Sequence, residues 1–419
     1  MLPSVLYSHD IFSTQYVGGI SRYVYELCAR NPRALIPTLY SENLYLNTHK
    51  HTKHFCGKTR LIYALNESYE RILRAYKHFD IYHPSYYKAL TKPKNTLLVT
   101  TIHDMIHEIY AGEFFPKNSK DSALKRHLCE VSDVLIAISH QTKCDLMRYF
   151  GIDERKIRVI HHGHSLQEGR KVLNLPKRYV LFVGAREGYK NFATFARAFA
   201  TLAPRHAELT LLCVGKPFSP KERGFLESLG LAGRAQSLQA RDDELYTLYN
   251  RTLCFAFPSL YEGFGIPILE SFYAHCPVAL SDIAVFREVA GDCALYFDPR
   301  SIDSIAQCLE SLIANQALVL KAQSALQNFS WDKSASQTLN VYKSLIGGAS
   351  ARVGYRLISA LLAKIHNSRI RKSHTTESTQ SKCVDSVIVS IRAKGVASYA
   401  LSPRKHSLCY TIAEGVRYA

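Results

Sequence analysis

The chain has 419 residues, of which 47% are hydrophobic and 21% charged, with a formal net charge of +18. This composition is typical of a globular protein, and the length exceeds one ordinary core, so we expect two domains with additional segments. No stretch approaches the roughly 20 apolar residues of a membrane helix, and the start lacks the regions of a secretory signal. We therefore expect a cytosolic protein.

Short apolar runs ending in Gly, Ser, His or Asp alternate with helical patterns, which is typical of βα units in a parallel sheet. Ile20, Tyr23, Val24 and Leu27 have helical spacing and predict the first clear helix. The absence of a G-x-G-x-x-G motif after any predicted strand, and of a P-loop, argues against dehydrogenases and NTPases. The predicted strands cover residues 5–7, 97–101, 134–138, 158–161, 180–184, 209–215 and 254–258.

The alternation is interrupted by a polar stretch at residues 165–178, where we place a domain boundary. The predicted fold class is α/β, with one domain over residues 1–165 and another over 178–330. Open α/β sheets bind ligands at the carboxyl ends of their strands. Two such domains that face one another would therefore form a binding cleft between them.

Gly18 and Gly19 follow the first strand and open the first helix, where backbone N–H groups can approach a phosphate. A plain turn is the alternative interpretation of this pair. His103 ends a predicted strand, which would direct its side chain into the cleft, and Asp104 is placed to orient its ring. With 18 histidines in the chain, an ordinary structural role for His103 stays open.

A basic loop follows the strand at residues 180–184 and carries Arg186 and Lys190. Cations in such a loop can bind a phosphate and stabilise negative charge that develops on it, without a metal ion. A pair of solvated loop charges is the alternative, and Glu187 between them could partly neutralise either.

The segment from residue 258 to 270 is the most informative part of the chain. Gly263 and Gly265 let the backbone turn sharply, and Pro267 favours a first helical turn whose N–H groups would face an anion. Glu262 lies in the loop and Glu270 is predicted in the first turn. Carboxylates accept hydrogen bonds from paired hydroxyls, so one could bind a sugar and the other a ribose. Glu270 alone could merely favour a helix N-terminus.

Together with the sequences Phe257-Pro258-Ser259 before it and Pro277-Val278-Ala279 and Glu288-Val289-Ala290-Gly291 after it, this segment resembles the Glu-x7-Glu motif of retaining glycosyltransferases of family 4. The resemblance covers about residues 1–346. It implies the GT-B fold, with two Rossmann-like domains facing a cleft and residues 331–346 as a closing helix that crosses back.

The same resemblance implies the functional residues. It assigns catalytic roles to His103, Arg186, Lys190 and Glu262. Ser139 and His162-Gly163 match interdomain positions, for which packing and a turn are equally good explanations. The residues that it implies for donor binding are Gly18, Gly19, Arg186, Lys190, Glu262, Gly263, Phe264, Gly265, Ile266 and Glu270.

The resemblance implies a retaining, metal-independent transferase that moves a hexose, with mannose or rhamnose as first candidates, from a nucleoside diphosphate sugar. The acceptor would be a lipid-linked or polysaccharide hydroxyl in cell-surface glycan synthesis. No cofactor is expected, and the eleven cysteines contain no C-x-x-C pair, which argues against a metal site. The alternatives are a catalytically silent sugar-nucleotide-binding subunit and a GT-B epimerase or phosphorylase.

Residues 347–419 form a basic C-terminal extension with 12 Lys/Arg and 3 Asp/Glu, which is half of the net charge of the chain. Apolar residues near helical spacing predict an amphipathic helix that would contact an anionic membrane surface. No aromatic platform accompanies the charge, so nucleic acid is a weaker partner. A packing helix with a disordered end is the alternative. The apolar positions of the predicted helix are Val353, Leu357, Ile358, Leu361 and Ile365.

Overall fold

The computed structural model describes residues 2–46, 57–169, 174–314 and 319–349. Its described part is built around two six-stranded parallel sheets with helices on their faces. The predicted basic amphipathic helix, and the extension from residue 350 onward, lie outside the described residues.

The first sheet has the strand order β2-β1-β3-β4-β5-β6, and every pairing is parallel. Its strands are short and mostly buried, as expected for a parallel sheet covered by helices on both faces. They are β1 (Val5–Tyr7), β2 (Ala34–Leu35), β3 (Ile81–His83), β4 (Leu97–Ile102), β5 (Val134–Ala137) and β6 (Ile157–Val159).

The helices around this sheet include the predicted first amphipathic one, in which Tyr23, Val24 and Leu27 are buried in the core. This confirms the helical spacing of these apolar residues. The helices are α1 (Asp10–Thr14), α2 (Gly19–Ala29), α3 (Lys58–Tyr76), α4 (Ile106–Ile109), α5 (Lys120–Val131) and α6 (His140–Phe150).

The second sheet has the order β12-β11-β10-β7-β8-β9 and is also parallel throughout. Its strands are β7 (Arg178–Val183), β8 (Leu209–Val214), β9 (Ala235–Leu238), β10 (Cys254–Phe257), β11 (Val278–Ser281) and β12 (Leu295–Phe297). Its helices are α7 (Phe192–Leu202), α8 (Pro220–Ser228), α9 (Asp242–Arg251), α10 (Ile266–Tyr273), α11 (Ala284–Ala290), α12 (Ile302–Ala314) and α13 (Val319–Leu326).

All seven predicted strands are present, with ends that differ by no more than two residues from the predicted ones. Five further strands were not predicted. β2 is only two residues long, and β9 carries polar side chains and is only partly buried, so neither has a clear apolar run. The missed strands are β2, β3, β9, β11 and β12.

A last helix over residues 331–349 packs on the first sheet. Trp331, Ala335 and Tyr342 are buried there, and the Tyr342 hydroxyl lies 2.6 Å from His83 Nδ1. Residues that follow the second sheet in the chain are thus returned to the core of the first sheet. The division into domains at residues 165 and 178 stays a prediction.

Candidate active site between the two sheets

The second sheet has a topological switch point between β7 and β10. β7 is the first strand of this sheet in the chain, yet it lies in the middle, with β8 on one side and β10 on the other. Ligands bind outside the carboxyl ends of parallel strands at such a point. The basic loop follows β7 and the loop that carries Glu262 follows β10, so the topology brings the two loops together.

Lys190 and Glu262 are in direct contact at this point. The Lys190 ammonium donates to Glu262 Oε1 over 2.6 Å, and the Ser259 hydroxyl donates to the same oxygen, also over 2.6 Å. Burial lowers the pKa of Lys190, but the Glu262 carboxylate outweighs this effect, so the pKa lies above its usual value. The two side chains predicted to bind different parts of the donor therefore neutralise each other.

Two glycines in the loop that follows β10 have different roles: one allows close packing against the other half of the molecule, and the other allows a sharp turn. A Cβ on Gly263 would lie 1.7 Å from the His103 carbonyl oxygen, so only glycine fits against the backbone just after β4 of the other sheet. Gly265 precedes α10 with a φ of 107°, a conformation that L side chains rarely adopt. Pro267 lies in the first turn of α10, as predicted.

Glu270 is the fifth residue of α10, so its predicted place in the first turn is wrong by one residue. It is 7% exposed, and its Oε2 accepts a hydrogen bond of 3.3 Å from the Tyr249 hydroxyl. Its Oε1 lies 3.9 Å from an Arg22 nitrogen, across the cleft. Sequence reasoning missed Arg22, whose only signal is its position three residues after Gly19.

The N-termini of two helices from the two halves of the molecule meet at the cleft. Gly18 is the N-cap of α2 and Gly19 is its first residue. A Cβ on Gly19 would lie 3.8 Å from the side chain of Ile266, the first residue of α10. Helix N-termini attract anions through free N–H groups and the helix dipole, so this arrangement favours a phosphate-bearing ligand.

Arg186 lies in the predicted basic loop but has its own partners. Its Nε donates to Glu222 over 2.6 Å, and its guanidinium also donates to the Lys216 carbonyl over 2.8 Å. Its side chain is 5% exposed. The alternative of two solvated loop charges that Glu187 could partly neutralise does not describe this pair, since Arg186 pairs with Glu222 and Lys190 with Glu262. The diphosphate contact of Arg186 stays a prediction.

His103 follows β4 and is 8% exposed. Burial lowers its pKa to about 4, against the attraction of Asp104, so the ring is neutral at pH 7. The Asp104 carboxylate accepts from the Ile106 N–H and lies 3.7 Å from Lys125 Nζ. The expectation that Asp104 orients the His103 ring is therefore not supported; Tyr23 packs edge-on against that ring at 5.4 Å.

Phe264 is buried against aromatic rings rather than directed at open space. Its ring centroid lies 5.2 Å from that of His162. A Cβ on Gly163 would lie 2.2 Å from the backbone nitrogen of Trp331. The glycine therefore permits close packing of the two backbone segments. These contacts favour the packing explanation for His162 and Gly163, and donor contact by Phe264 stays a prediction.

Glu288 joins the two halves of the molecule. Its carboxylate accepts from the backbone N–H groups of His140 and Gln141 at the start of α6, and from the ring of His161 at 2.6 Å. It thereby caps a helix of the other sheet. Ser139 caps the same helix through the Thr142 N–H at 3.0 Å. This contact supports the packing explanation for Ser139.

Two groups of described side chains bring possible metal ligands within 4.8 Å of one another. In the first, His140, His161 and Glu288, the carboxylate already accepts the hydrogen bonds described above. The second consists of His9, Glu67 and Glu70, where Lys88 Nζ lies 3.2 Å from Glu67 and 3.6 Å from Glu70. Lys88 supplies a positive charge at the position that a cation would take.

Comparison with known protein families adds an independent finding. The model described as glycosyl transferases group 1 matches residues 166–329, and that of Glycosyltransferase Family 4 matches residues 17–168. The two models together span about three quarters of the chain.

The chain belongs to the group 1, family 4 glycosyltransferases.

The transferase is 27% identical over 296 residues to the O-antigen chain mannosyltransferase B of Escherichia coli, across 65% of this chain and 76% of that protein. It is 29% identical over 204 residues to the O-antigen chain mannosyltransferase RfbU of Salmonella typhimurium, across 48% and 56%. The predicted enzyme class, a glycosyltransferase of a retaining family, is confirmed.

Solved structures resemble the transferase in fold. Sucrose-phosphate synthase from Thermosynechococcus elongatus aligns with a TM-score of 0.66 at 20% identity, over 83% of this chain and all of that one. HepE of Anabaena, solved with UDP and glucose, aligns with a TM-score of 0.62 at 17% identity, over 82% and 100%. The predicted GT-B fold is confirmed. No helix among the described residues is long and apolar enough to cross a membrane.

Proposed function

We propose that this transferase moves a hexose, with mannose the first candidate, from a nucleoside diphosphate sugar to a hydroxyl of a lipid-linked or polysaccharide acceptor in cell-surface glycan synthesis. The observation that carries the proposal is the contact of Lys190 with Glu262 at the switch point, beside the N-terminus of α10. Its relatives among O-antigen mannosyltransferases support mannose and this setting. The family supports a nucleotide-sugar donor.

In this proposal the diphosphate replaces Glu262 as the partner of Lys190. Both are partly accessible, with side chains 20% and 14% exposed, so an incoming phosphate can reach them. The released Glu262 keeps the Ser259 hydrogen bond and accepts hydrogen bonds from the hydroxyls of the donor sugar. Glu270 accepts from the ribose hydroxyls.

The reaction breaks the bond between the sugar carbon and the diphosphate and forms one to the acceptor oxygen. Lys190, the N-terminus of α10 and the predicted contact of Arg186 stabilise the charge on the leaving phosphate. Neutral His103 acts as a hydrogen-bonding group for the sugar rather than as a cation. The acceptor proton goes to the departing phosphate on the same face of the sugar, as the resemblance to retaining transferases implies.

A donor panel tests the proposal directly. GDP-mannose, GDP-rhamnose, UDP-glucose and the free diphosphates are compared for protection against thermal unfolding, since a ligand at 100 times its Kd adds about 2.7 kcal/mol. Transfer of labelled sugar to a lipid-linked acceptor is then measured for the wild type and Lys190→Ala. Exposed Lys221 on α8 provides the matched control, Lys221→Ala. Protection by a donor without transfer to any acceptor would favour the silent binding subunit.

We also propose that the enzyme works at the inner face of the plasma membrane as a peripheral protein, with the basic extension as one contact. The support is the charge of residues 347–419 and the lipid-linked nature of the proposed acceptor. Removing residues 350–419 should weaken salt-sensitive binding to anionic vesicles and leave donor binding unchanged.

A further inference from the structure

Helix α3 exposes a line of large apolar side chains to solvent. Leu61, Leu65, Ile72 and Tyr76 are 50%, 45%, 55% and 90% exposed. Their spacings of four, seven and four residues place them on one side of a helix about 28 Å long. A neighbouring face of the helix carries Ile62, Asn66 and Glu70, which are buried. Isolated exposed apolar residues are ordinary, but a stripe of four large ones along one side of a single helix indicates an interaction surface.

A cationic pocket lies at the C-terminal end of the same helix. Its volume is about 370 Å³, and its apolar floor includes Phe79 and Tyr82. The Arg74 guanidinium lies 4.7 Å from the Tyr82 ring centre, and the Lys77 ammonium lies 5.3 Å from that of Phe79. The positively charged residues that line it are Arg71, Arg74, Lys77 and Lys94.

The cations of the pocket outnumber the carboxylates that pair with them. Glu67 lies 2.9 Å from Arg71 and buried Glu70 lies 3.8 Å from Arg74, so these carboxylates partly neutralise the two arginines and leave the two lysines as the main positive charges. Lys77 and Lys94 are exposed. An apolar stripe flanked by cations complements a surface that offers hydrocarbon below a layer of negative charge.

The pocket is separate from the catalytic cleft. Thr96 and Lys94 precede β4, so the pocket lies at the amino edge of the first sheet. The donor loops and His103 lie at carboxyl edges. A ligand in the pocket would therefore leave the cleft open to the donor.

We infer that the exposed face of α3 and its cationic pocket form a docking surface for an anionic phospholipid bilayer, with α3 lying in the plane of the headgroups. The apolar stripe enters the boundary between headgroups and hydrocarbon, and the pocket receives a lipid phosphate. Tyr76, with an apolar ring and a polar hydroxyl, suits this boundary. The surface goes beyond the proposed reaction, since it binds membrane without donor or acceptor.

The test uses the full chain and sedimentation with vesicles of phosphatidylcholine, with or without phosphatidylglycerol. Lys77→Ala/Lys94→Ala should weaken binding to the anionic vesicles by about 30-fold at low salt, because each lysine near such a surface contributes about 1 kcal/mol and tenfold corresponds to 1.4 kcal/mol. High salt should remove this difference. The matched control is Lys177→Ala/Lys221→Ala, which removes two exposed lysines elsewhere and should bind like the wild type.

A second variant tests the apolar component. Leu65→Ser/Ile72→Ser changes two exposed side chains and should weaken vesicle binding by about tenfold at low and high salt alike, because insertion of apolar surface is not screened. Thermal midpoints equal to that of the wild type would show that both variants are folded. Loss of binding in both variants, with donor binding retained, would support the surface even if the proposed reaction proved wrong.

Three results would overturn the inference. Wild-type vesicle binding in both variants would leave the basic extension as the membrane contact. Release of the protein by dilute inorganic phosphate at constant ionic strength would make the pocket a site for free anions. If Leu65→Ser/Ile72→Ser converted a dimer into a monomer without affecting vesicle binding, the stripe would be an interface between two copies of the chain.

Discussion

The Lys190 ammonium lies 2.6 Å from the Glu262 carboxylate, and this contact joins the loops that follow β7 and β10. In the proposed function each residue binds a different part of the donor. The Lys190 cation binds the diphosphate, and the Glu262 carboxylate binds the sugar. In the described structure they partner each other. Donor binding is therefore expected to be an exchange of partners at a site that is already assembled.

Removal of the Lys190 charge should affect turnover more than folding. Lys190→Ala is expected to lower kcat by about 10² to 10³, as for the loss of one preorganised donor that stabilises developing charge. Initial rates at saturating donor measure this effect. Lys221→Ala is the control, and ordinary turnover in Lys190→Ala would contradict the assigned role.

The roles proposed for Glu262 and Glu270 predict different effects on the binding of the nucleotide sugar and of the free nucleoside diphosphate. Glu262→Gln weakens hydrogen bonding to the sugar but also frees Lys190, so the nucleotide sugar should bind more weakly while the free nucleoside diphosphate binds equally well or more tightly. Glu270→Gln should weaken both ligands, since both contain the ribose. Titration calorimetry with the two ligands measures these affinities. Equal losses of affinity for both ligands in both variants would exclude the proposed division of roles between the two glutamates.

Arg186 should combine a catalytic and a structural contribution. Burial raises the pKa of Glu222, but its hydrogen bonds with Arg186 and Ser219 outweigh this and lower the pKa to about 2. A depressed pKa stabilises the fold above the unfolded value near 4.5, and this contribution is lost as pH falls towards 2. Arg186→Ala should therefore lower kcat by about 10² to 10³ and reduce stability at pH 7 more than at pH 3. Unfolding at both pH values, beside initial rates, measures the two effects.

Buried histidines should make the fold sensitive to mild acid. Burial lowers the pKa of His83 to about 3, and that of His103 to about 4. The unfolded chain binds these protons near pH 6.5, so the stability contribution is present above that pH and is lost as pH falls from 6.5 towards 4. Thermal midpoints measured across this range should fall. His83→Asn should reduce the slope, and an unchanged slope would show that folding does not lower the pKa of His83.

Glu288 should control how firmly the two halves are held together. Its carboxylate accepts the His140 and Gln141 N–H groups and contacts His161, and charged hydrogen bonds of this kind contribute about 1.5–3 kcal/mol each. Glu288→Ala is expected to lower the thermal midpoint and to weaken donor binding through a more open cleft. Small-angle scattering would detect the opening of the cleft. Glu288→Gln should lower the thermal midpoint and the donor affinity less than Glu288→Ala does.

The sequence by itself determined the fold class and most of the elements that carry the site. Apolar runs such as residues 209–215, in alternation with helical patterns, predicted buried strands of a parallel sheet, and the pattern of Gly263, Gly265 and Pro267 predicted the turn into α10. These signals are local, because backbone conformation and burial are set by neighbouring side chains. They located Lys190 and Glu262 without any structure.

The tertiary structure decided which side chains meet. The contact of Lys190 with Glu262 joins residues 72 positions apart, the pairing of Arg186 with Glu222 joins the loop after β7 to helix α8, and Arg22 reaches Glu270 across the cleft. The predicted Asp104 partner of His103 instead lies beside Lys125. Contacts of this kind depend on strand order and on how two sheets pack, and the spacing of residues along a chain does not encode them. The physical reason is that pairing energies act over a few ångströms in space, whereas sequence patterns report only neighbours along the backbone.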